Sequence, residues 1–184
     1  MDFENKIITV KRDCNAILIP SGDPIKLIKG TQVRITQALG GDYTLFVNGN
    51  LIKISGKDAD VIGEKIIDQP KNNIKVDFTQ SIDEDSVWDQ LKTCYDPEIP
   101  VNIVDLGLVY DLNIKKNKEK QNIIYVKMTL TAPGCGMGPV IAQDVEQKIR
   151  NIPGVFDVLV DIVWDPVWDR DMMTDEAKLQ LGML

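Results

Sequence analysis

Histidine is absent from the 184 residues. That removes Ser-His-Asp and Cys-His catalysis, and every histidine-ligated metal site, from what one copy of the chain can do. Cysteine is scarce: Cys14, Cys94 and Cys135 are odd in number, far apart and without a C-x-x-C pair. Such spacing argues against a disulfide framework and against a closed thiolate zinc site, and it predicts thiols in a reducing compartment. No apolar run approaches the ~18 residues of a membrane-crossing helix. The opening stretch MDFENKIITVKRDCNAILIP places acids before bases and carries no small-residue cleavage site, so a cytoplasmic protein without a secretory leader is expected. Internal repeats and low-complexity segments are likewise missing.

What is present fits a globular chain of one or two domains. The apolar fraction of 43% excludes a disordered acidic tail. Charge divides unevenly. Residues 1–80 hold 11 basic and 10 acidic side chains, net +1, and residues 81–184 hold 10 and 18, net −8. The acidic second half disfavours nucleic acid as partner, because phosphate contacts need clustered cations. Lys115, Lys116, Lys118 and Lys120 do cluster, but around Asn117 they suit a solvated hairpin tip better than a phosphate site.

The pattern predicts an α+β protein with two domains, 1–80 and 81–184. The first is a small all-β unit with strands at Ala16–Ile19, Val33–Thr36, Tyr43–Val47 and Leu51–Ile54. Asn48-Gly49 supplies the positive φ of a tight hairpin, and a short helix is expected at Asp58–Lys65. Pro70 and Lys71-Asn72-Asn73 read as a linker. The second opens with a helix capped by Ser81 and Glu84, with Trp88, Leu91 and Tyr95 at helical spacing, broken by the Asp96-Pro97-Glu98-Ile99-Pro100 segment. Leu108–Ile114 and Ile123–Leu130 form a hairpin in which Ile124, Val126, Met128 and Leu130 share a face. A helix then carries Ile141, Val145 and Ile149, and Val158, Val160, Ile162 and Trp164 alternate as a third strand. The result is an α-β-β-α-β domain with helices on one face of a small mixed sheet. Beyond it, Thr174 can cap a terminal helix whose Ala177, Leu179, Leu181 and Met183 pack back or meet a partner.

Chemistry is concentrated in the loop Thr131–Pro139. It joins a strand to a helix, and so sets the Cys135 sulfur beside unpaired amides and the positive end of a helix dipole. Thiols in such settings ionise more readily, and a thiolate is both nucleophile and soft metal ligand. Gly134, Gly136 and Gly138 let a bulky ligand approach the backbone. The bland alternative is a turn in which cysteine is a small apolar filler. A phosphate loop is excluded in detail, since Pro139 stands where a glycine is needed and the Walker Lys and Ser/Thr pair is missing. Asp96, Glu98, Asp105 and Asp111 bracket the first strand of the second half and offer oxygen to harder metals, although Asp96 equally suits a cap on the Pro97 turn. Core roles are expected for Cys14 and Cys94, and packing roles for Trp164 and Trp168.

Three runs, YDPEIPVNIVDLGLVY at 95–110, MTLTAPGCGMGPV at 128–140 and VWDPVW at 163–168, make residues 91–182 resemble the metal-sulfur cluster assembly family, whose domain is related to the C-terminal domain of NifU-type scaffolds. The N-terminal runs KRDCNAILIPSGDPI and TQALGGDYTLFVNGN extend the likeness over nearly the whole chain. The resemblance implies a cytosolic factor in iron–sulfur protein maturation, with the loop cysteine at Cys135 and the D-P-E segment at Asp96, Pro97 and Glu98. Many relatives carry proline after the loop cysteine, where this chain has Gly136. A two-iron or four-iron cluster normally takes four thiolates, and one chain offers a single well-placed one. Iron or a cluster would therefore be held transiently through Cys135, with Glu98 and Asp96 as further metal ligands, and shared with a second chain or a small thiol. The expected partners are assembly proteins and apo-clients, with a two-fold dimer as one way to bring two thiols together. A metal-free adaptor between carriers and clients, and less favourably a thiol enzyme using Glu98 for protons, are the competing readings.

Overall fold

The computed structural model describes residues 7–66 and 77–183. The linker expected at Pro70–Asn73 lies outside them. The chain divides into two compact units, Met1–Asn72 and Asn73–Leu184.

In the first unit, alternating apolar residues produce six antiparallel strands. These are β1 (Ile7–Thr9), β2 (Cys14–Ile19), β3 (Pro24–Leu27), β4 (Gln32–Leu39), β5 (Asp42–Val47) and β6 (Asn50–Ile54), in the order β1-β4-β5-β6-β2-β3. Val33 and Ile35, Leu45 and Val47, and Ile52 and Ile54 point into one core, as a period of two requires. Asn48 and Gly49 turn β5 into β6 with φ of 48° and 85°, the left-handed pair that matches strand twist. β1 and β3 escaped the sequence reading for one reason: both are edge strands. They are short and half solvated, and Pro24 costs β3 a backbone donor that an edge can spare. The helix expected at Asp58–Lys65 is a 3-10 turn, Gly56–Ile62, capped by Ser55 and stopped by Gly63 at φ 83°. Arg12 fastens it to the strand side through Asp58 at 2.8 Å and Asp60 at 2.6 Å.

The second unit has the expected order: α1 (Glu84–Leu91), β7 (Val109–Lys116), β8 (Asn122–Met128), α2 (Gly138–Arg150), β9 (Val155–Ile162) and α3 (Asp175–Gln180). β7 and β8 are antiparallel and β9 is parallel to β8, so the sheet is mixed. Ile124, Val126 and Met128 line its inner face, and Ile141, Val145 and Ile149 are the buried stripe of α2. Each such side chain contributes roughly 1.5–3 kcal/mol by leaving water. The lysines at 118 and 120 sit in the exposed turn between β7 and β8, as expected.

Two sequence expectations need correction here. Asp83, not Ser81, caps α1, because its carboxylate accepts from the Asp85 amide at 3.3 Å. The helix also ends at Leu91, so Tyr95 has left it and instead bridges to Asn102. The buried face is Val87 and Leu91, with Trp88 half-buried and donating to Glu84 at 3.2 Å. From α2, the buried Lys148 donates to the Thr93 carbonyl just beyond α1 at 2.7 Å and to Asp144 at 2.8 Å.

Asn122 closes the opposite corner. Its Nδ2 donates to the carbonyls of Phe78 at 2.8 Å, Gln80 at 2.6 Å and Gly154 at 2.9 Å.

Candidate functional site

Strand direction decides what meets what. β7 runs against β8 and β9 runs with it, so the start of β7, the end of β8 and the end of β9 lie at one end of the sheet. The segment before β7 is tied there by the Thr129 amide donating to Leu108 O at 2.8 Å, and the segment after β9 by Val163 N donating to Met128 O at 2.8 Å. Three stretches singled out in the sequence, 95–110, 128–140 and 163–168, therefore converge on one edge of the domain.

The loop after β8 carries Cys135 into α2. Gly134 adopts φ 80° with open space where a side chain would be, as a tight turn ahead of the thiol requires. Cys135 N donates weakly to Ala132 O at 3.4 Å, and Gly138 N donates to Cys135 O at 3.1 Å. Met137 begins α2 without a side-chain cap and Pro139 occupies its first turn, where a missing N–H costs nothing. Gly138, expected only to open the backbone to a ligand, has a packing role. A Cβ there would stand 2.6 Å from Leu130 Cδ1 and 3.6 Å from Ile162 Cδ1, so the loop is pressed onto the chain just beyond β8 and onto the end of β9. Thr129, fully buried at the root of the loop, keeps a hydroxyl with no hydrogen-bond partner among the described residues.

The three cysteines separate by burial. Cys14 and Cys94 are buried and Cys135 is partly exposed. Burial pushes the Cys14 thiol up, with Asp58 adding to the effect. Cys94 Sγ donates to Gln90 O at 3.7 Å.

Asp96 is buried and Glu98 exposed. Asp96 Oδ1 accepts from the Glu98 amide at 2.8 Å, and Ile99 N donates to Asp96 O at 3.2 Å, the geometry of a cap on the Pro97 turn. Asp105 is engaged by Asn102 Nδ2 at 2.6 Å, and Asp111 accepts from Asn113 at 2.7 Å. Among the described residues, no three Cys, Asp or Glu side chains gather closely enough to hold a metal ion by themselves.

The C-terminal stretch braces this edge. Trp168 Nε1 donates to Leu106 O at 2.8 Å, Tyr110 Oη donates to Pro166 O at 2.9 Å, Thr174 N donates to Asp105 O at 2.9 Å and Gln180 Nε2 donates to Pro100 O at 2.6 Å. Trp168 is thus the anchor expected of it. Trp164 is not, because it lies past the end of β9 and is 43% exposed. Thr174 caps α3 as expected, accepting from Ala177 N at 3.2 Å, yet only Ala177 of the apolar set is fully buried, and Leu179 and Met183 face solvent. Asn102 was missed in the sequence. Its Oδ1 accepts from Val104 N and Asp105 N at 3.0 and 2.9 Å, a local turn that N-x-x-D could have signalled.

Comparison with known proteins defines the class. The family model described as "Iron-sulfur cluster assembly protein" matches residues 84–162, which run from α1 to the end of β9. The chain is 43% identical over 101 residues to the "Fe-S protein maturation auxiliary factor" of Porphyromonas gingivalis, covering 55% of this chain and 92% of that protein. It is 44% identical over 88 residues to the "Fe-S protein maturation auxiliary factor SufT" of Staphylococcus aureus, covering 48% and 96%. A solved structure of a domain of unknown function, DUF59, from Bacillus anthracis is 36% identical over 55% of this chain and 92% of its own, with a TM-score of 0.49. The chain belongs to the iron–sulfur cluster assembly protein family. These matches each span about half of the chain, less than the nearly full length suggested by the N-terminal runs. Among the described residues no helix is long and apolar enough to cross a membrane.

Proposed function

We propose that the chain is a cytoplasmic maturation factor that carries iron or an iron–sulfur cluster transiently on Cys135 and passes it to apo-proteins. The observation that carries this reading is the contrast among the three thiols. Cys135 alone reaches solvent, on a glycine-relieved loop at an uncapped helix start, while Cys14 and Cys94 are buried. A soft thiolate suits iron and sulfide chemistry. Gly134 leaves the backbone open to a bulky cargo, Gly136 adds no side chain beside the thiol, and the exposed Glu98 offers an oxygen ligand on a turn that Asp96 caps. One thiolate is too few for a stable cluster, so the remaining ligands come from a second chain or a small thiol, and transfer follows when a client supplies better ones. On this reading, the second unit, Asn73–Leu184, is the working domain. The all-β first unit, Met1–Asn72, binds clients. The chain handles cargo and turns over no substrate.

The test is anaerobic reconstitution of the reduced full chain with iron and sulfide, comparing wild type with Cys135→Ser. We expect cysteine-dependent iron binding with sulfide-to-iron charge-transfer absorption, and delivery to an apo-ferredoxin that the variant does not support. Equal binding and delivery by both forms would contradict the proposal. No iron in either form, with assembly proteins still captured by both, would make the chain a metal-free adaptor.

A further inference from the structure

β7 is an edge strand. It pairs with β8 on one side, and among the described residues no strand pairs with its other side. The direction of its backbone groups follows from the hairpin. Asn117 N donates to Gln121 O at 3.0 Å, so the alternation of an antiparallel ladder turns the amides and carbonyls of residues 115, 113 and 111 toward β8. Those of Leu112, Ile114 and Lys116 then point outward. The side chains sort by face as well. Asp111, Asn113 and Lys115 are exposed, and Leu112 and Ile114 are half-buried on the core side.

We propose that two copies of the chain associate through β7, antiparallel, about a two-fold axis at Asn113. In this register Leu112 stands opposite Ile114 of the second copy and exchanges backbone hydrogen bonds with it, twice by symmetry. On the core face apolar meets apolar. On the solvent face Asp111 stands opposite Lys115, again twice, in the non-hydrogen-bonded positions where side chains come closest. Asn113 meets itself. Neighbouring registers lose this fit. Centring on Leu112 sets Asp111 against Asn113, centring on Ile114 sets Leu112 against Lys116, and centring on Asp111 or on Lys115 opposes like charges. A lysine on a strand edge ordinarily repels a second strand. Here Asp111, four residues earlier on the same face, turns that lysine into half of a self-complementary pair.

The arrangement joins two three-stranded sheets into one of six and is independent of whether Cys135 holds iron. It also has a consequence for the cargo. The loop with Cys135 follows Met128, which pairs with Val109, four positions from the axis. At roughly 3.3 Å per residue the two loops are displaced to opposite ends of the joint sheet, roughly 25 Å apart along the strands. The second chain completing the iron ligands is then a recipient protein and not this second copy.

Sedimentation equilibrium on the full-length protein at low salt, up to about 0.5 mM, tests the association. We expect a monomer–dimer equilibrium that weakens with salt. Asp111→Lys and Lys115→Asp should each weaken it about tenfold or more, and the double exchange should restore it to within about threefold of wild type. Register is tested by mild diamide oxidation in a Cys135→Ser background. Asn113→Cys should cross-link rapidly, because a non-hydrogen-bonded pair sets Cα atoms about 4.5 Å apart, within disulfide reach, and Asp111→Cys should not. A protein that stays monomeric throughout, a double exchange that fails to restore the dimer, or equal cross-linking at both positions would overturn the proposal.

Discussion

The backbone carbonyl of Met172 occupies the space into which a Cβ on Gly107 would project, and Gly107 itself holds φ 71°. Two constraints thus fall on one residue: a left-handed backbone at the turn into β7, and the approach of the C-terminal stretch to within touching distance of it. We expect Gly107→Ala to destabilise the domain by about 2–3 kcal/mol, combining left-handed strain with displacement of residues 170–173. Urea unfolding followed by Trp fluorescence measures the cost, and increased quenching of Trp168 would report release of the brace.

Asn122 gathers three carbonyls from chain positions distant in sequence. Removing its amide in Asn122→Ala takes this donor from the Gln80 and Gly154 carbonyls, the latter bond buried, at a cost of about 1–3 kcal/mol, while Phe78 O keeps the Asn122 backbone amide. Asn122→Asp should be worse near neutral pH, because a carboxylate would face those same oxygens, and should recover toward the alanine value in acid. Paired urea titrations at two pH values decide it.

Thiol reactivity should follow the burial order. Iodoacetamide at neutral pH is expected to modify Cys135 first, with Cys14 and Cys94 protected until denaturant is added. Cys14 is shielded doubly, by burial and by the upward shift that burial imposes on its thiol. Peptide mapping by mass spectrometry gives the order, and early labelling of Cys94 would count against the packing described.

The Arg12 clamp confers an acid dependence on the first unit. Hydrogen bonds from Arg12 hold the Asp60 carboxyl below its usual range. A carboxyl held low in the fold stabilises it fully above the unfolded value of about 4, and that contribution fades as pH falls through the lower folded value. Asp60→Asn should therefore unfold more readily than wild type near pH 7, and the two midpoints should converge as pH falls below the unfolded carboxyl value. The exposed pair is screened, so added salt should narrow the gap at neutral pH.

Much of this was legible in the chain. The periodicities of Ile124–Met128 and Ile141–Ile149 specify a strand and a helix with buried stripes, and Asn48-Gly49 specifies a hairpin, because each signal is local and repeated. Ser81 misled because a cap is chosen by where the helix can start, and Asp83 offers an equally good acceptor nearer Val87. Trp164 misled because an aromatic residue after an alternating strand looks like its continuation, whereas the chain leaves the sheet after Ile162. The convergence of 95–110, 128–140 and 163–168 could not be read from spacing. It follows from β9 being parallel to β8, a property of the α2 crossover and not of any one run. Cys135 stands out in the sequence because its loop is locally unusual, and its role is the proposal made above. Gly107, and the packing role of Gly138, were missed because their partners, Met172 and Leu130, are set by tertiary packing.

Lys148 has a dynamic consequence. α1 spans eight residues, too few to persist alone in water, and its outgoing carbonyl end is held by an ammonium group belonging to α2. The two helices should therefore open together. In native-state hydrogen exchange their slowest amides would share one opening free energy, making a single cooperative unit of two segments that translation delivers with a whole hairpin between them.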